Sequence, residues 1–137
     1  MNALESLIQN ALEIESKLGY VFKDKNLLAL AFVHRSFVNE NRVVTAFHNE
    51  RLEFLGDSIL GLLVAEYLYK NLPTRAEGDL SRLRSHLVEA SSCVAYIRKL
   101  QVEQYVLLSK GERMGDGTLH RIHHGFRSRA CALYFRI

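Results

Sequence analysis

The 137-residue chain reads as an all-α domain organised around one central, buried helix. Three observations lead there. The sequence holds one proline and eight glycines, and strand patterns are nearly absent. Apolar residues recur at helical spacing along most of its length. One segment, from about Glu50 to Lys70, is apolar almost all round: Leu52, Phe54, Leu55, Ile59, Leu60, Leu62, Leu63, Val64 and Leu68. A helix apolar on every side is expected to be enclosed by others. At 48% hydrophobic residues the chain is globular, and its length suits one domain.

The elements follow in order. Leu4, Leu7, Ile8, Ala11, Leu12 and Leu18 keep helical spacing, and Gly19 stands where a C-cap belongs. Asp24 is placed to cap a second helix carrying Leu27, Leu28, Leu30, Ala31 and Phe32. The polar stretch Asn39 to Phe47 predicts a loop. Asn49 is placed to cap the central helix, and Pro73 ends it. A fourth helix is expected from about Glu77 to Leu100, burying Leu80, Leu83, Leu87, Val88, Val94 and Ile97. Residues 101–109 predict a short helix or turn, and 111–119, with three glycines, a loop.

Several classes are excluded. Charges interrupt every apolar run well before the roughly 20 residues of a membrane span. The N-terminus has acids and no basic region, unlike a secretory leader. Cys93 and Cys131 show no CxxC spacing, so neither a zinc site nor a disulfide framework is expected, and a reducing, cytoplasmic setting fits. The net charge of +3 is unevenly spread. From Gly117 onward there are four arginines, three histidines and no acid, while the first 116 residues carry 14 basic and 15 acidic groups.

Glu50, Glu53 and Asp57 fall at i, i+3 and i+7 of the central helix. At about 100° per residue they lie within roughly 60° of one another, an acidic line expected to be partly buried among apolar neighbours. Like charges there repel and lose hydration, a cost that a bound cation offsets. Oxygen ligands without His or Cys suit Mg²⁺ or Mn²⁺. The other reading of the spacing is ordinary surface acids, one of them paired with Arg51.

The run Asn49-Glu50-Arg51-Leu52-Glu53-Phe54-Leu55-Gly56-Asp57-Ser58 resembles the signature motif of ribonuclease III, the double-stranded-RNA endonucleases. Leu18-Gly19-Tyr20, Phe22-Lys23, Leu27-Leu28 and Ala31-Phe32-Val33-His34-Arg35-Ser36 resemble that family's opening helices. Glu77-Gly78-Asp79-Leu80-Ser81 with Arg84, then Lys110-Gly111-Glu112, continue the likeness in order. The resemblance implies a ribonuclease III endonuclease-domain fold over Leu18 to Glu112. It implies Glu53 and Asp57 as metal ligands, Asp57 also helping to activate water, and Glu50 and Glu77 as outer acids. It implies Mg²⁺, replaceable by Mn²⁺, and hydrolysis of double-stranded RNA to 5′-phosphate and 3′-hydroxyl ends in rRNA and mRNA precursor processing. It also implies a homodimer in which Phe54 inserts into the partner, although a core aromatic satisfies the same pattern. For His34 a buried polar role is expected, and for Ser36 a place at the end of its helix.

The likeness breaks near the end. The family pattern Glu-Ser-Ile-Leu-Ala-Asp-x-x-Glu-Ala-x-x-Gly-Ala-x-Tyr is met only by Ala132-Leu133-Tyr134. Counting back puts Arg127 where the glutamate belongs and His124 where the aspartate belongs, and an arginine repels the cation. Arg127-Ser128-Arg129-Ala130 can be encoded as CGA AGC CGT GCT, which reads Glu-Ala-Val-Leu when the first base is dropped. Arg121-Ile122-His123-His124 can be encoded as CGA ATC CAT CAT, which the same shift reads as Glu-Ser-Ile-Met. A reading-frame slip is therefore expected, making 117–137 an aberrant tail on an incomplete endonuclease domain. His120, His123 and His124 have metal-ligand spacing but lack a fourth partner. The family's C-terminal RNA-binding domain does not follow Ile137 in this sequence. The leading expectation is a metal-dependent endoribonuclease, inactive as written. The alternative is a non-catalytic dimer that binds structured RNA or a ribosomal partner.

Overall fold

The structure is a computed structural model and describes residues 1–113. Among these the helices are α1 (Ala3–Gln9), α2 (Ala11–Leu18), α3 (Lys25–Leu30), α4 (Arg35–Glu40), α5 (Glu50–Asn71), α6 (Glu77–Val88), α7 (Ala90–Leu100) and α8 (Lys110–Arg113). A 3₁₀ turn spans Glu103–Tyr105. A single parallel β-bridge, Val33 to Leu107, is found among the described residues. None of their helices is long and apolar enough to cross a membrane.

Local chemistry explains most boundaries. Asn2 and Glu5 form a reciprocal capping box that starts α1, with bonds of 2.8 and 2.9 Å. The expected first helix is divided at Asn10. Its Nδ2 donates to the Ser6 carbonyl (2.9 Å) that its own backbone N–H also reaches (3.0 Å), so the side chain competes with the ladder. Gly19 caps α2 with φ +69°, the left-handed region in which glycine carries no steric penalty. Asp24 accepts from the backbone of Asn26 and Leu27, as expected.

The second helix ends at Leu30 instead of running through Phe32, and α4 follows as a separate element. His34 caps it, its Nδ1 accepting the Ser36 N–H at 3.2 Å. Ser36 therefore lies in the first turn of α4 rather than at a helix end. Its hydroxyl donates to Glu112 and accepts the Ser109 N–H at 3.1 Å, tying α4 to the segment leading into α8.

Asn49 is not a side-chain cap. It is 1% exposed, with Nδ2 donating to the Ala31 carbonyl (3.1 Å) and its N–H to the Val33 carbonyl (2.9 Å). The expected helix over 77–100 is two helices, broken at Glu89, whose φ of −67° and ψ of 163° are extended. The carbonyls left open at the end of α6 are met from α7: Ser92 bonds His86, Tyr96 bonds Leu87 and Cys93 bonds Val88. Helix α8 occupies the start of the expected glycine-rich loop. The rest of that loop, the 117–137 tail with Arg127 and the three histidines, and Cys131 lie outside the described residues.

The main core joins α1–α4 to the end of α7 and to residues 102–108. Ile14, Phe22, Leu28, Phe32, Ile97 and Val102 are fully enclosed in it. From α5 only Leu52 packs against this core, and a second, small cluster gathers Leu60, Val64, Val88 and Cys93. The central helix is thus not buried as expected. Gly56, Ile59, Leu60 and Leu68 are buried, while Phe54 (81%), Leu62 (55%), Tyr67 (64%) and Tyr69 (75%) remain exposed. No residue of α6 is fully buried, and Leu83 of its expected stripe is exposed. The reason is geometric. The 22 residues of α5 rise about 33 Å, beyond the core at its start, and its chief partner is the equally thin α6.

Candidate active site

The acid line starts where α5 leaves the core. Asn49 fixes that end, and the Glu53 N–H continues the ladder to the Asn49 carbonyl at 2.8 Å. Glu50 and Glu53 lie in the first turn, where the positive end of the helix dipole favours carboxylates whatever their function. Asp57 lies a turn further on, where that benefit has faded and aspartate is a poorer helix former.

Burial is lower than expected. Glu53 is half-buried, whereas Glu50 and Asp57 are exposed, because the face of α5 that carries them is not roofed by another described helix. The line is one of like charges in contact with water, not a buried, strained one. Glu50 does not stand alone. Its Oε1 lies 3.5 Å from Arg35 Nη1 and its Oε2 lies 3.8 Å from His48 Nδ1. The partner of Glu50 is thus Arg35, across from α4, in place of the expected Arg51.

Glu77 is not brought to this line within the chain. It opens α6, where its carboxylate accepts from the Ser81 hydroxyl at 2.6 Å. Helices α5 and α6 pack as an antiparallel hairpin, so Glu77 stands near the end of α5. Fourteen residues of helix separate Asp57 from Asn71, a rise of about 20 Å. Among the described residues no group of three or more His, Cys, Asp or Glu is arranged around a common point for a metal ion. Two carboxylates with oxygen-only chemistry still suit Mg²⁺, which takes one or two protein carboxylates and keeps waters or phosphate oxygens elsewhere.

Phe54 points outward at 81% exposure, so the core-aromatic reading is excluded. It shares a shallow cleft with His48, Glu50, Arg51 and Leu55. Sequence reasoning missed two features nearby. One is the grip of Arg35 and His48 on Glu50. The other is the Ser36–Glu112 tie, which joins residues 76 positions apart and leaves no local pattern.

A ribonuclease-III-like family model matches residues 24–124. The ribonuclease 3 of Protochlamydia amoebophila is 65% identical over 117 residues, or 85% of this chain. That of Streptococcus pneumoniae is 46% identical over 117 residues. The chain spans 48% of the length of each of these relatives. The nuclease domain of ribonuclease III from Campylobacter jejuni superposes with a TM-score of 0.78 at 36% identity, covering 90% of this chain and 84% of that one. That structure is described as flexible in a region involved in dimer formation. Another structure of the same nuclease domain gives 0.72 at 38% identity, covering 89% and 78%. The chain belongs to the ribonuclease III family.

Proposed function

We propose that this chain is the endonuclease domain of an enzyme that hydrolyses double-stranded RNA with Mg²⁺, in the processing of rRNA and mRNA precursors in the cytoplasm, and that as written it cuts negligibly. The observation that carries the reading is Asp57 in line with Glu53 on one open face of α5, inside a family-matched chain. Glu53 and Asp57 would hold the metal, with Mn²⁺ as a substitute. When bound, such an ion polarises the phosphoryl oxygen and lowers the pKa of water. Asp57 would also help to hold and activate the hydrolytic water. Glu50, tethered by Arg35 and His48, supports the line from the helix start. Glu77, at the other end of the hairpin, can serve an acid line only across a homodimer. The exposed Phe54, Leu62 and Tyr69, within about 80° of one another around α5, supply an apolar face for one.

The reading of the chain as inactive rests on sequence: Arg127 and His124 occupy the places of the second acidic pair, consistent with a frame slip over 117–137. The test replaces residues 119–131 with Glu-Ser-Ile-Leu-Ala-Asp-x-x-Glu-Ala and assays cleavage of an RNA duplex. The unmodified chain is expected to be silent. The repaired chain is expected to cut only with Mg²⁺, and Glu53→Gln to silence it again. Cutting by the unmodified chain that is lost in Glu53→Gln would overturn the frame-slip account. A repaired chain that folds and binds duplex but never cuts would overturn the nuclease reading in favour of the RNA-binding dimer.

A further inference from the structure

Beside the acid line lies a polar cleft of about 510 Å³ between α4, the 41–48 loop and the first turn of α5. Arg35 and Asn39 come from α4, Arg42 and His48 from the loop, and Glu50 from α5. The charges are unbalanced. The one carboxylate lining the cleft, Glu50, is shared between Arg35 at 3.5 Å and His48 at 3.8 Å. Arg42 is exposed and has no carboxylate partner among the described residues. Asn39, exposed on α4, adds amide donors. A wall with two guanidinium groups, one of them uncompensated, and an amide, open to solvent, is complementary to an anion with several acceptor oxygens. His48 and Glu50 also line the neighbouring cleft with Arg51, so the basic wall is continuous with the start of the acid line.

We infer that this cleft grips the phosphate backbone of an RNA duplex, with Arg42 as the uncompensated contact and Arg35 aimed by Glu50. Glu50 thereby positions a cation in addition to any support it gives the acids. The contact carries no base information, and it sets where the duplex lies relative to Asp57. A-form RNA suits such a site, because its recognition rests on shape and on backbone groups. The inference rests on the duplex substrate proposed above.

The test measures binding of the full chain to a labelled RNA duplex in chelator, so that no cleavage intervenes, across a salt series. Arg42→Gln is expected to weaken binding at low salt and to flatten the plot of log affinity against log salt by roughly one unit. Arg42→Lys is expected to restore most of the slope. Lys99→Gln, removing an exposed cation on α7, is expected to leave it unchanged. Thermal unfolding of Arg42→Gln is expected to match the parent. If the parent binds duplex and Arg42→Gln binds with the same affinity and slope, this inference is overturned and the nuclease reading survives. If the parent does not bind duplex even at low salt, both fall together.

Discussion

Phe54 offers the sharpest measurement of whether α5 is an assembly surface. The side chain is 81% exposed, so most of the stabilisation from enclosing a phenylalanine, about 1.5–3 kcal/mol, is still uncollected in a single copy. A two-fold interface encloses the residue twice. Phe54→Ala therefore removes about 3–4 kcal/mol from dimerisation, which raises the dissociation constant by roughly two to three orders of magnitude. The same substitution deletes almost no contact within the chain, so the fold of the monomer should be unaffected. These opposite responses separate an interface residue from a core one. Analytical ultracentrifugation across a concentration series reads the first effect, and denaturant unfolding below the dissociation constant reads the second. A parent that stays monomeric at high micromolar concentration would refute the reasoning. So would a Phe54→Ala chain that assembles as tightly as the parent.

Two further outcomes follow from the core. Glu15 is 3% exposed, pairs with Lys25 and accepts the Phe22 N–H at 2.6 Å. Glu15→Ala is expected to cost about 2–3 kcal/mol, at the lower end for a broken buried pair because Lys25 is 34% exposed and can turn to water. Urea unfolding checks this, and a change under about 1 kcal/mol would show that the pair is not a clamp. Burial, with the Glu13 carboxylate beside it, raises the Tyr105 hydroxyl above its ordinary 10.0. The folded chain then keeps that proton at a pH where the unfolded chain has lost it. The contribution is complete below pH 10 and is lost as pH climbs from there through the folded value. Tyr105→Phe should flatten the alkaline decline of melting temperature relative to the parent, and parallel declines would refute the assignment.

Features with a local cause were legible in the sequence. Gly19, Asp24 and Pro73 mark their boundaries because caps and breakers act within a few residues. The acid line was legible because helical spacing alone puts Glu50, Glu53 and Asp57 on one face. What escaped was non-local. The carbonyls of α6 are met by side chains of α7, so no glycine or proline announces the break at Glu89. His34 caps α4 although histidine is outside the usual capping set. The burial of α5 was overestimated because an all-round apolar pattern states what a helix can bury, not how much neighbouring chain is present to bury it. The acids were expected to be more enclosed for the same reason.

The two bonds of Asn49 anchor the root of α5 to the main core, while the rest of the helix is held by α6 and α7 through Leu60, Val64 and the buried Leu68. Glu50, Glu53 and Asp57 occupy its first eight residues and stay in register with Ala31 and Val33. Tyr67 and Tyr69, four turns or more away, flank the buried Leu68 and are themselves exposed. Two jobs are thus separated along one rod: the root sets the acids against the core, and the far end displays aromatic rings while one side of it stays seated on its neighbour.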